Sequence, residues 1–286
     1  MRTIPIFSPD GLLANADEIK EEISKQLAAY GKSVNIDSPD TLQDKIIWLT
    51  LYEPITKKTL CADKYKVREY CLDKLGKDIC VPLIAVYDNV DEIEWEKLPN
   101  SFVIKCNHGF HMNIIVKDKS KLDTEDAMFK LSHWINYDFA LAAYEVQYEQ
   151  IPRKIVVEEY LNDGHDDLID YKFLCFNGKP TFCQIISDRH NDLRRLNYYD
   201  MDFNFVDICR KEFPNNPNLL DEKPVNFDLM KEYAQKLSED FKFVRVDFYD
   251  INGTIYLGEL TFTPGAYRFC YKNPQDDFKM GQLLKI

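Results

Sequence analysis

The sequence lacks the features that define several large protein classes. No apolar run approaches the ~20 residues that a membrane-spanning helix needs. The opening MRTIPIFSPDG has no continuous apolar segment of the kind found in signal peptides. The eight cysteines are scattered and form no CxxC pair, which favours reduced, mostly buried thiols over a disulfide framework. Together these absences predict a cytoplasmic protein without a membrane span.

Two common catalytic motifs are also missing. The chain has no GxSxG elbow, so hydrolase-type nucleophilic catalysis has no support, and no GxxxxGK[ST] pattern, which excludes the P-loop route to nucleotide phosphates. A formal charge of −12 argues against a broad surface for nucleic acid or anionic membranes, although a local cationic pocket for a small anion is compatible with it. With 286 residues, the chain can bury the core of one or two compact domains.

Residues 1–80 are predicted to be mainly helical. The stretch DEIKEEISKQLAAYG places three aliphatic residues and Tyr30 on one helical face. A second helix is predicted with Ser38 as its N-cap and Pro39 in its first turn, and a third is predicted to begin near Asp63.

From about residue 81 onwards, strand-like runs predominate. VPLIAVY, SFVIKC and NIIVKD are predicted strands, and a helical stretch near 124–148, capped by Thr124, follows them. Further predicted strands extend from KIVVEEYL to TIYLGELTF, interrupted by one helix in FDLMKEYAQKLSEDF. Strands in runs and helices in blocks indicate an α+β protein with at least two antiparallel sheets.

One predicted hairpin, VRVDFYDINGTIYLGEL, carries a group of charged residues. Asn252-Gly253 forms its bend, so Asp247 and Glu259 lie on neighbouring strands and are expected within several ångströms of each other. Two such carboxylates suit Mg²⁺ when the ion also binds phosphate oxygens, although surface carboxylates on hairpins are common. Arg245 shares a strand face with Asp247, and a cation among metal-binding acids suggests an anionic substrate or transition state.

Residues at the ends of two predicted strands suggest a nucleotide-binding site. The apolar run SFVIKC includes Lys105 and leads into Asn107-His108-Gly109, and we predict that the lysine contacts a phosphate under this turn. The strand KIVVEEYL ends with Glu158-Glu159, where a carboxylate and a backbone N–H could read adenine; a solvated strand end is the alternative. Many strands end in such residues, so each assignment depends on the rest of the chain.

The neighbouring Cys106, His108 and His111 suggest a zinc site, but only three candidate ligands lie there and no nearby cysteine pair completes a structural set. Cys106 is better explained as a buried strand residue, and His108 as a loop or substrate residue.

Two segments are candidates for substrate contact. The loop SDRHNDLRRLNYYD contains Arg189 and Arg194 and is either a solvated charge cluster or a binding site for an acidic sugar, since arginine pairs bidentately with carboxylates. Tyr267 and Arg268 follow the strand that carries Glu259, and this proximity makes them the stronger candidates.

Six segments occur in the order and rough spacing of the ATP-grasp superfamily: ADKYKVREY, FVIKCNHG, VVEEYL, DYKFLCFNG, VRVDFY and GELTFTPG. In detail the chain most resembles the TupA-like branch, which is associated with teichuronopeptide and capsular polysaccharide synthesis. The resemblance covers roughly residues 45 to 286.

The resemblance implies the ATP-grasp fold, in which two α+β lobes clasp ATP. The mainly helical region would be residues 1–80, the small lobe with the phosphate loop 81–157, and the large lobe with the metal and substrate sites 158–286. The implied nucleotide contacts are Lys64 and Lys105 at the phosphates, Asn107, His108 and Gly109 in the loop above them, Glu158 and the backbone N–H of Leu161 at adenine, Asp170 or Glu159 at the ribose, and Lys172 at a further phosphate.

The same resemblance assigns the reacting centre. Asp247 and Glu259 match the Mg²⁺ ligands, and Arg245 matches the arginine that steadies the carboxylate or acyl-phosphate in related ligases. Thr261 stands where many members have Asn, which makes it a weaker neutral ligand and bears on a second Mg²⁺ rather than the first.

These assignments predict an ATP-dependent carboxylate–amine ligase. The branch resemblance implies a uronic acid or similar sugar of a surface polysaccharide as the carboxylate, and an amino acid or small amino alcohol as the amine. Two other functions remain compatible with the sequence: a phosphotransferase acting on a sugar hydroxyl, and a non-catalytic binding module that keeps the fold.

Overall fold

The computed structural model describes residues 3–164, 168–188 and 194–286. Four helices occupy much of the first eighty residues: α1 (Ala16–Ala29), α2 (Leu42–Tyr52), α3 (Thr56–Ala62) and α4 (Val67–Leu75). The aliphatic residues of α1 are buried as predicted, but Tyr30 is 59% exposed and does not continue that buried row.

Two of the predicted helix caps are displaced along the chain. The N-cap of α2 is Thr41 rather than Ser38, and its side chain accepts from the backbone N–H of Asp44 at 3.1 Å. Helix α5 (Thr124–Ile135) is capped by Asp123 rather than Thr124, because the Asp123 carboxylate accepts from the Asp126 N–H at 3.0 Å. In both places several residues that favour caps stand close together, and the one that caps the helix has an extended backbone.

The first sheet contains four antiparallel strands in the order β1-β4-β2-β3. The strands are β1 (Leu83–Tyr87), β2 (Phe102–Cys106), β3 (Asn113–Val116) and β4 (Ile155–Glu159), with α5 and the short helix α6 (Phe139–Ala143) between β3 and β4. The predicted helical stretch near 124–148 is therefore interrupted.

The second sheet contains six antiparallel strands in the order β10-β9-β5-β6-β7-β8. The strands are β5 (Asp170–Phe176), β6 (Lys179–Ser187), β7 (Arg195–Tyr199), β8 (Phe205–Val206), β9 (Phe243–Ile251) and β10 (Thr254–Thr261), accompanied by α7 (Phe227–Ser238) and α8 (Pro274–Leu283). The prediction of at least two antiparallel sheets is confirmed.

The two faces of the second sheet pack against different parts of the chain. On β5, Phe173 belongs to a core that includes α7 and the first sheet, whereas Leu174 and Phe176 point to the opposite face and join the core formed with α1 and α2. The β5 side chains that point away from the Phe173 face therefore lie on the side of the sheet that the N-terminal helices partly cover.

All eight cysteines are unpaired thiols, six of them buried, as the sequence predicted. None of the helices in the described ranges combines the length and apolar character needed to cross a bilayer.

Candidate active site

A carboxylate pair lies at the β9–β10 hairpin, where Asp247 is the register partner of Glu259. The two-residue bend at 252–253, with both residues at positive φ, would by itself pair Asp247 with Gly258. A bulge between Leu257 and Glu259 shifts the register by one residue and turns Glu259 onto the Asp247 face.

Arg245 bridges this carboxylate pair. Its Nε and Nη2 donate to the two oxygens of Asp247 at 2.7 and 2.6 Å, and Nη2 also donates to Glu259 Oε1 at 2.9 Å. Thr261 lies opposite Arg245 in the register, and its hydroxyl donates to Glu259 Oε1 at 2.8 Å. The prediction that Arg245 shares a face with Asp247 is confirmed.

Lys172 approaches the pair from the neighbouring strand. It is the β5 register partner of Asp247, and its Nζ lies 2.5 Å from Asp247 Oδ2 and 3.6 Å from Asp170 Oδ1. Burial lowers the pKa of Lys172, and the Asp247 carboxylate opposes this effect. Burial would raise the pKa of Glu259, but Arg245 first, and Lys64 and Lys172 after it, outweigh that effect and hold the pKa at about 2. The carboxylate of Glu259 is therefore ionised at neutral pH.

The potential ligands at this site suit Mg²⁺ and do not suit a metal ion that takes all of its ligands from the protein. Asp247 and Glu259 offer two carboxylates and Thr261 offers a hydroxyl, while the described part of the chain contains no group of three or more His, Cys, Asp or Glu that could hold a metal. Mg²⁺ is commonly bound by one or two carboxylates together with substrate phosphates. The zinc alternative gains no support, since Cys106 and His108 belong to no group of three or more such ligands among the residues that the structure describes.

A second charged group lies on the first sheet around Glu158, which is 4% exposed. Lys105 Nζ donates to Glu158 Oε2, and Arg68 Nη2 donates to Glu158 Oε1 at 3.2 Å and to the Val81 carbonyl. Arg68 was not identified from the sequence, although it lies in the ADKYKVREY segment that carries part of the family resemblance. Since a carboxylate has about four acceptor sites, Glu158 keeps acceptor capacity while both cations hold it.

Lys64 and Gly109 join the loop after β2 to the start of α4. Lys64 Nζ donates to the Gly109 carbonyl, and burial lowers the lysine pKa. A Cβ at Gly109 would lie 2.4 Å from Met112 Cε and 2.6 Å from Phe139 Cδ2, so only glycine fits there without repacking.

Asn107 and His108, two of the predicted loop residues, are buried and bonded to other parts of the protein. Asn107 is 0% exposed: its Nδ2 donates to Asp63 Oδ1 at 2.8 Å and to the Pro152 carbonyl at 2.9 Å, and its Oδ1 accepts from the Lys154 N–H at 2.8 Å. His108 is buried with Nε2 3.3 Å from the Tyr137 carbonyl, and burial lowers its pKa to about 4. Their side chains hold in place the loop that was predicted to lie above the phosphates.

A cleft of about 1020 Å³ opens beside these groups. Its size suits a ligand of several tens of atoms. Apolar residues of β2, β3 and α5 line much of it, and it brings together five residues predicted to bind the nucleotide: Lys105, Glu158, Glu159, Leu161 and Asp170.

The predicted substrate residues are not brought together. Tyr267 is buried, and its hydroxyl donates to the Tyr144 carbonyl at 2.9 Å. Its place in the core corrects the prediction that it contacts substrate: residues 265–267 all have positive φ, and this left-handed turn directs the ring inward.

The three predicted arginines have different surroundings. Arg268 is exposed and donates to the Tyr30 hydroxyl at 2.9 Å, which ties it to the end of α1. Arg194 is exposed and lies over the Phe213 ring, 4.1 Å from its centroid. Arg189 falls outside the described residues.

Comparison with known proteins identifies the fold. The model of the family described as TupA-like ATPgrasp matches residues 44–285. Similar solved structures include D-alanine–D-alanine ligase from Bacillus anthracis complexed with ATP, with 18% identity, coverage of 72% of this chain and 55% of that chain, and a TM-score of 0.40. They also include L-amino acid ligase from Bacillus licheniformis, with 16% identity, coverage of 88% and 56%, and a TM-score of 0.46.

A third similar solved structure is N5-carboxyaminoimidazole synthetase from Staphylococcus aureus, with 14% identity, coverage of 88% of this chain and 51% of that chain, and a TM-score of 0.43. The chain spans about half the length of these solved proteins. No curated protein matches it. Because the family match runs from α2 almost to the last residue, the chain belongs to the TupA-like ATP-grasp family and has the ATP-grasp fold.

Proposed function

We propose that this protein is an ATP- and Mg²⁺-dependent ligase that joins a carboxylate to an amine through an acyl-phosphate. The observation that carries the proposal is the Arg245 guanidinium, which bridges Asp247 and Glu259 at the centre of the site. A planar guanidinium beside metal-binding carboxylates can hold both oxygens of a substrate carboxylate and then stabilise the charge that develops during transfer. Membership of the ATP-grasp family supports the use of ATP.

Adenine and ribose would bind in the cleft, with Glu158 accepting from the adenine amino group and the Leu161 N–H donating to the ring. Arg68 and Lys105 hold the Glu158 carboxylate in one orientation, which supports such a contact. Glu159 and Asp170 line the same cleft and would take the ribose hydroxyls.

The phosphates would recruit Lys64, Lys105 and Lys172. Each of these lysines donates to a protein oxygen in this structure, so phosphate oxygens would replace those acceptors when the nucleotide binds. Mg²⁺, held by Asp247 and Glu259 with Thr261 beside them, would neutralise phosphate charge when bound. The residues from Asn107 to Gly109 would fix the position of the loop above the phosphates and would not contact the phosphates directly.

In the reaction, a carboxylate oxygen of the substrate attacks the γ-phosphorus and ADP leaves, which gives an acyl-phosphate. The amine nitrogen then attacks the acyl carbon and phosphate leaves. The chain's part is to align the reactants and neutralise charge, which are the main needs of phosphoryl transfer. The two sheets would act as the two lobes, and their closure would exclude water from the acyl-phosphate. The boundary at 157/158 falls within β4, so we propose to place it after that strand.

The substrates are proposed from the branch resemblance. The carboxylate would belong to a uronic acid of a capsular or other surface polysaccharide, and the amine would be an amino acid or a small amino alcohol. Arg194, and Arg189 outside the described residues, remain candidates for the sugar carboxylate.

The test is to incubate the protein with ATP, Mg²⁺ and a panel of uronic acids and amines, and to identify products by mass. We expect ADP together with a product whose mass is that of acid plus amine less one water, formed only when both are present. A phosphorylated sugar formed without any amine would assign the protein as a phosphotransferase. Absence of Mg·ATP binding would indicate a non-catalytic module.

A further inference from the structure

Glu145, which precedes the short turn 146–148, is a buried carboxylate with one hydrogen-bonded oxygen. It is 2% exposed, and its Oε1 accepts from the Thr263 hydroxyl. Gln147 Nε2 donates to the same hydroxyl oxygen at 2.8 Å, so the Thr263 proton is directed at Glu145. Glu145 Oε2 has no hydrogen-bond partner among the described residues.

Thr263 connects this carboxylate to the reacting centre. Glu259, Thr261 and Thr263 alternate along the chain, while Leu260 and Phe262 between them enter the core. Thr261 is the register partner of Arg245, so the bond from Thr263 puts Glu145 at the end of the row that contains the guanidinium. The acyl carbon of the proposed intermediate would lie at Arg245, and Glu145 is joined to the same row through its hydrogen bond with Thr263.

The other site carboxylates accept hydrogen bonds, Asp247 and Glu158 on both oxygens and Glu259 on Oε1. Asp247 accepts from Lys172 and Arg245, Glu259 accepts from Arg245 and Thr261, and Glu158 accepts from Arg68 and Lys105. A buried carboxyl oxygen without a partner costs free energy, and such atoms call for an explanation in a ligand or a catalytic role. When Glu145 is ionised, the partner that Oε2 lacks must be a hydrogen-bond donor.

We propose that Glu145 binds the amine substrate as its ammonium ion through Oε2 and takes the proton that the amine must lose before it attacks the acyl-phosphate. This inference rests on the proposed ligase function. It assigns the amine-binding end of the site to the Glu145–Thr263–Gln147 group, and it limits the nucleophile to a primary or secondary amine that can donate a hydrogen bond.

The step balances with the groups already named. One proton passes from the ammonium to Glu145 Oε2 and leaves a neutral amine with its lone pair. The nitrogen forms a bond to the acyl carbon, the bond from that carbon to the phosphate oxygen breaks, and its electron pair leaves with phosphate. The second nitrogen proton goes to the departing phosphate, and Glu145 releases its proton when the products leave.

The electrostatic surroundings of Glu145 agree with this role. Burial raises its pKa to about 7, the Thr263 hydrogen bond opposes the rise, and Glu259 adds to it; Arg268 and Lys64 act in the lowering direction. A proton acceptor works best when its pKa is close to the working pH.

The direct test follows the carboxyl carbon of Glu145 by NMR in glutamate-labelled protein loaded with Mg²⁺ and a non-hydrolysable ATP analogue, with the resonance assigned from Glu145→Gln. Ethylamine and tetramethylammonium are the probes, because both are cations but only the first donates hydrogen bonds. We expect a saturable shift with ethylamine and none with tetramethylammonium. No response to ethylamine, or an equal response to both, would overturn the inference; failure to bind the nucleotide analogue would instead count against the proposed function.

A kinetic test uses Glu145→Gln beside Glu149→Gln, the same chemical change at a partly exposed glutamate of the same segment. Glutamine keeps an acceptor for Thr263 but cannot take a proton, so amide formation should fall by about 10²–10⁴-fold. Trapping of the acyl-phosphate by hydroxylamine, which attacks as a neutral molecule, should stay near the wild-type rate. Glu149→Gln should change neither rate. Equal amide formation in Glu145→Gln and wild type would overturn the inference.

Discussion

Lys172 Nζ lies 2.5 Å from Asp247 Oδ2, across the paired strands β5 and β9. Arg245, two residues away on β9, donates to the same oxygen at 2.6 Å, so two cations hold this proposed metal ligand. Nucleotide binding would exchange these ion pairs for Mg²⁺ and phosphate while keeping the total charge of the site balanced. Lys172, which pairs with Asp247 in this structure, is thus one of the lysines that we propose to bind the ATP phosphates, while Arg245 would hold the substrate carboxylate.

The first prediction concerns the metal carboxylates. Asp247→Asn and Glu259→Gln should each abolish ATP turnover, because Mg²⁺ needs anionic oxygen at both positions. Asp247→Asn should also lower stability to urea more than Glu259→Gln does, since it leaves two buried cations without their shared partner. Turnover and urea unfolding measured on both variants check this. Normal turnover in either folded variant would remove it from the metal site.

The second prediction concerns Lys105. Lys105→Ala should weaken Mg·ATP binding by about 10- to 100-fold, which corresponds to the loss of one charge-assisted hydrogen bond. Calorimetric titration measures it, and Lys179→Ala, which removes an exposed lysine at the start of β6, is the matched control. An affinity equal to wild type in Lys105→Ala would show that the lysine serves only to hold Glu158.

The third prediction separates a catalytic from an ion-pairing role for Arg245. Arg245→Lys keeps the charge but loses the planar fork, so ATP should still bind while amide formation falls by about a hundredfold or more. If Arg245 merely neutralises Asp247 and Glu259, lysine should serve almost as well. Nucleotide binding and amide formation assayed side by side in this variant decide between the two roles, and equal ligation rates would exclude the catalytic one.

The fourth prediction is a pH dependence of stability. The pKa of Glu145 is raised from 4.5 to about 7 in the fold, so the folded state binds more protons than the unfolded state between these values. Its contribution is therefore fully present below about pH 4.5 and is lost as the pH rises through about 7. Glu145→Gln should accordingly be more stable than wild type above neutral pH, by up to about 3 kcal/mol. Urea unfolding at about pH 5 and about pH 8 measures this; an advantage that does not change with pH would contradict it.

The hairpin and its charged residues could be predicted because the information is local. An Asn-Gly bend fixes which strands pair, and alternation puts Arg245 beside Asp247. Even there, the meeting of Asp247 with Glu259 depends on the bulge at Gly258, which strand alternation alone does not reveal. A glycine inside a strand pattern is the signal that could have indicated it.

Pairings between distant segments could not be predicted from the sequence. Arg68 and Glu158 meet although 90 residues separate them in the chain, and Lys172 meets Asp247 only through the order of the second sheet. Tyr267 was assigned to substrate by its nearness along the chain, but backbone direction decides where a side chain points, and the left-handed turn sends it into the core. Chain proximity is a weak guide wherever φ changes sign.

The measurement that tests the central claim most directly follows oxygen from the substrate carboxylate. A uronic acid labelled with oxygen-18 in its carboxylate is incubated with ATP, Mg²⁺, an amine and the protein, and the released phosphate is analysed by mass. Attack of the carboxylate on the γ-phosphorus predicts that one labelled oxygen appears in the phosphate as the amide forms. Turnover that yields ADP with unlabelled phosphate, or with phosphate retained on a sugar hydroxyl, would contradict a ligase that works through an acyl-phosphate.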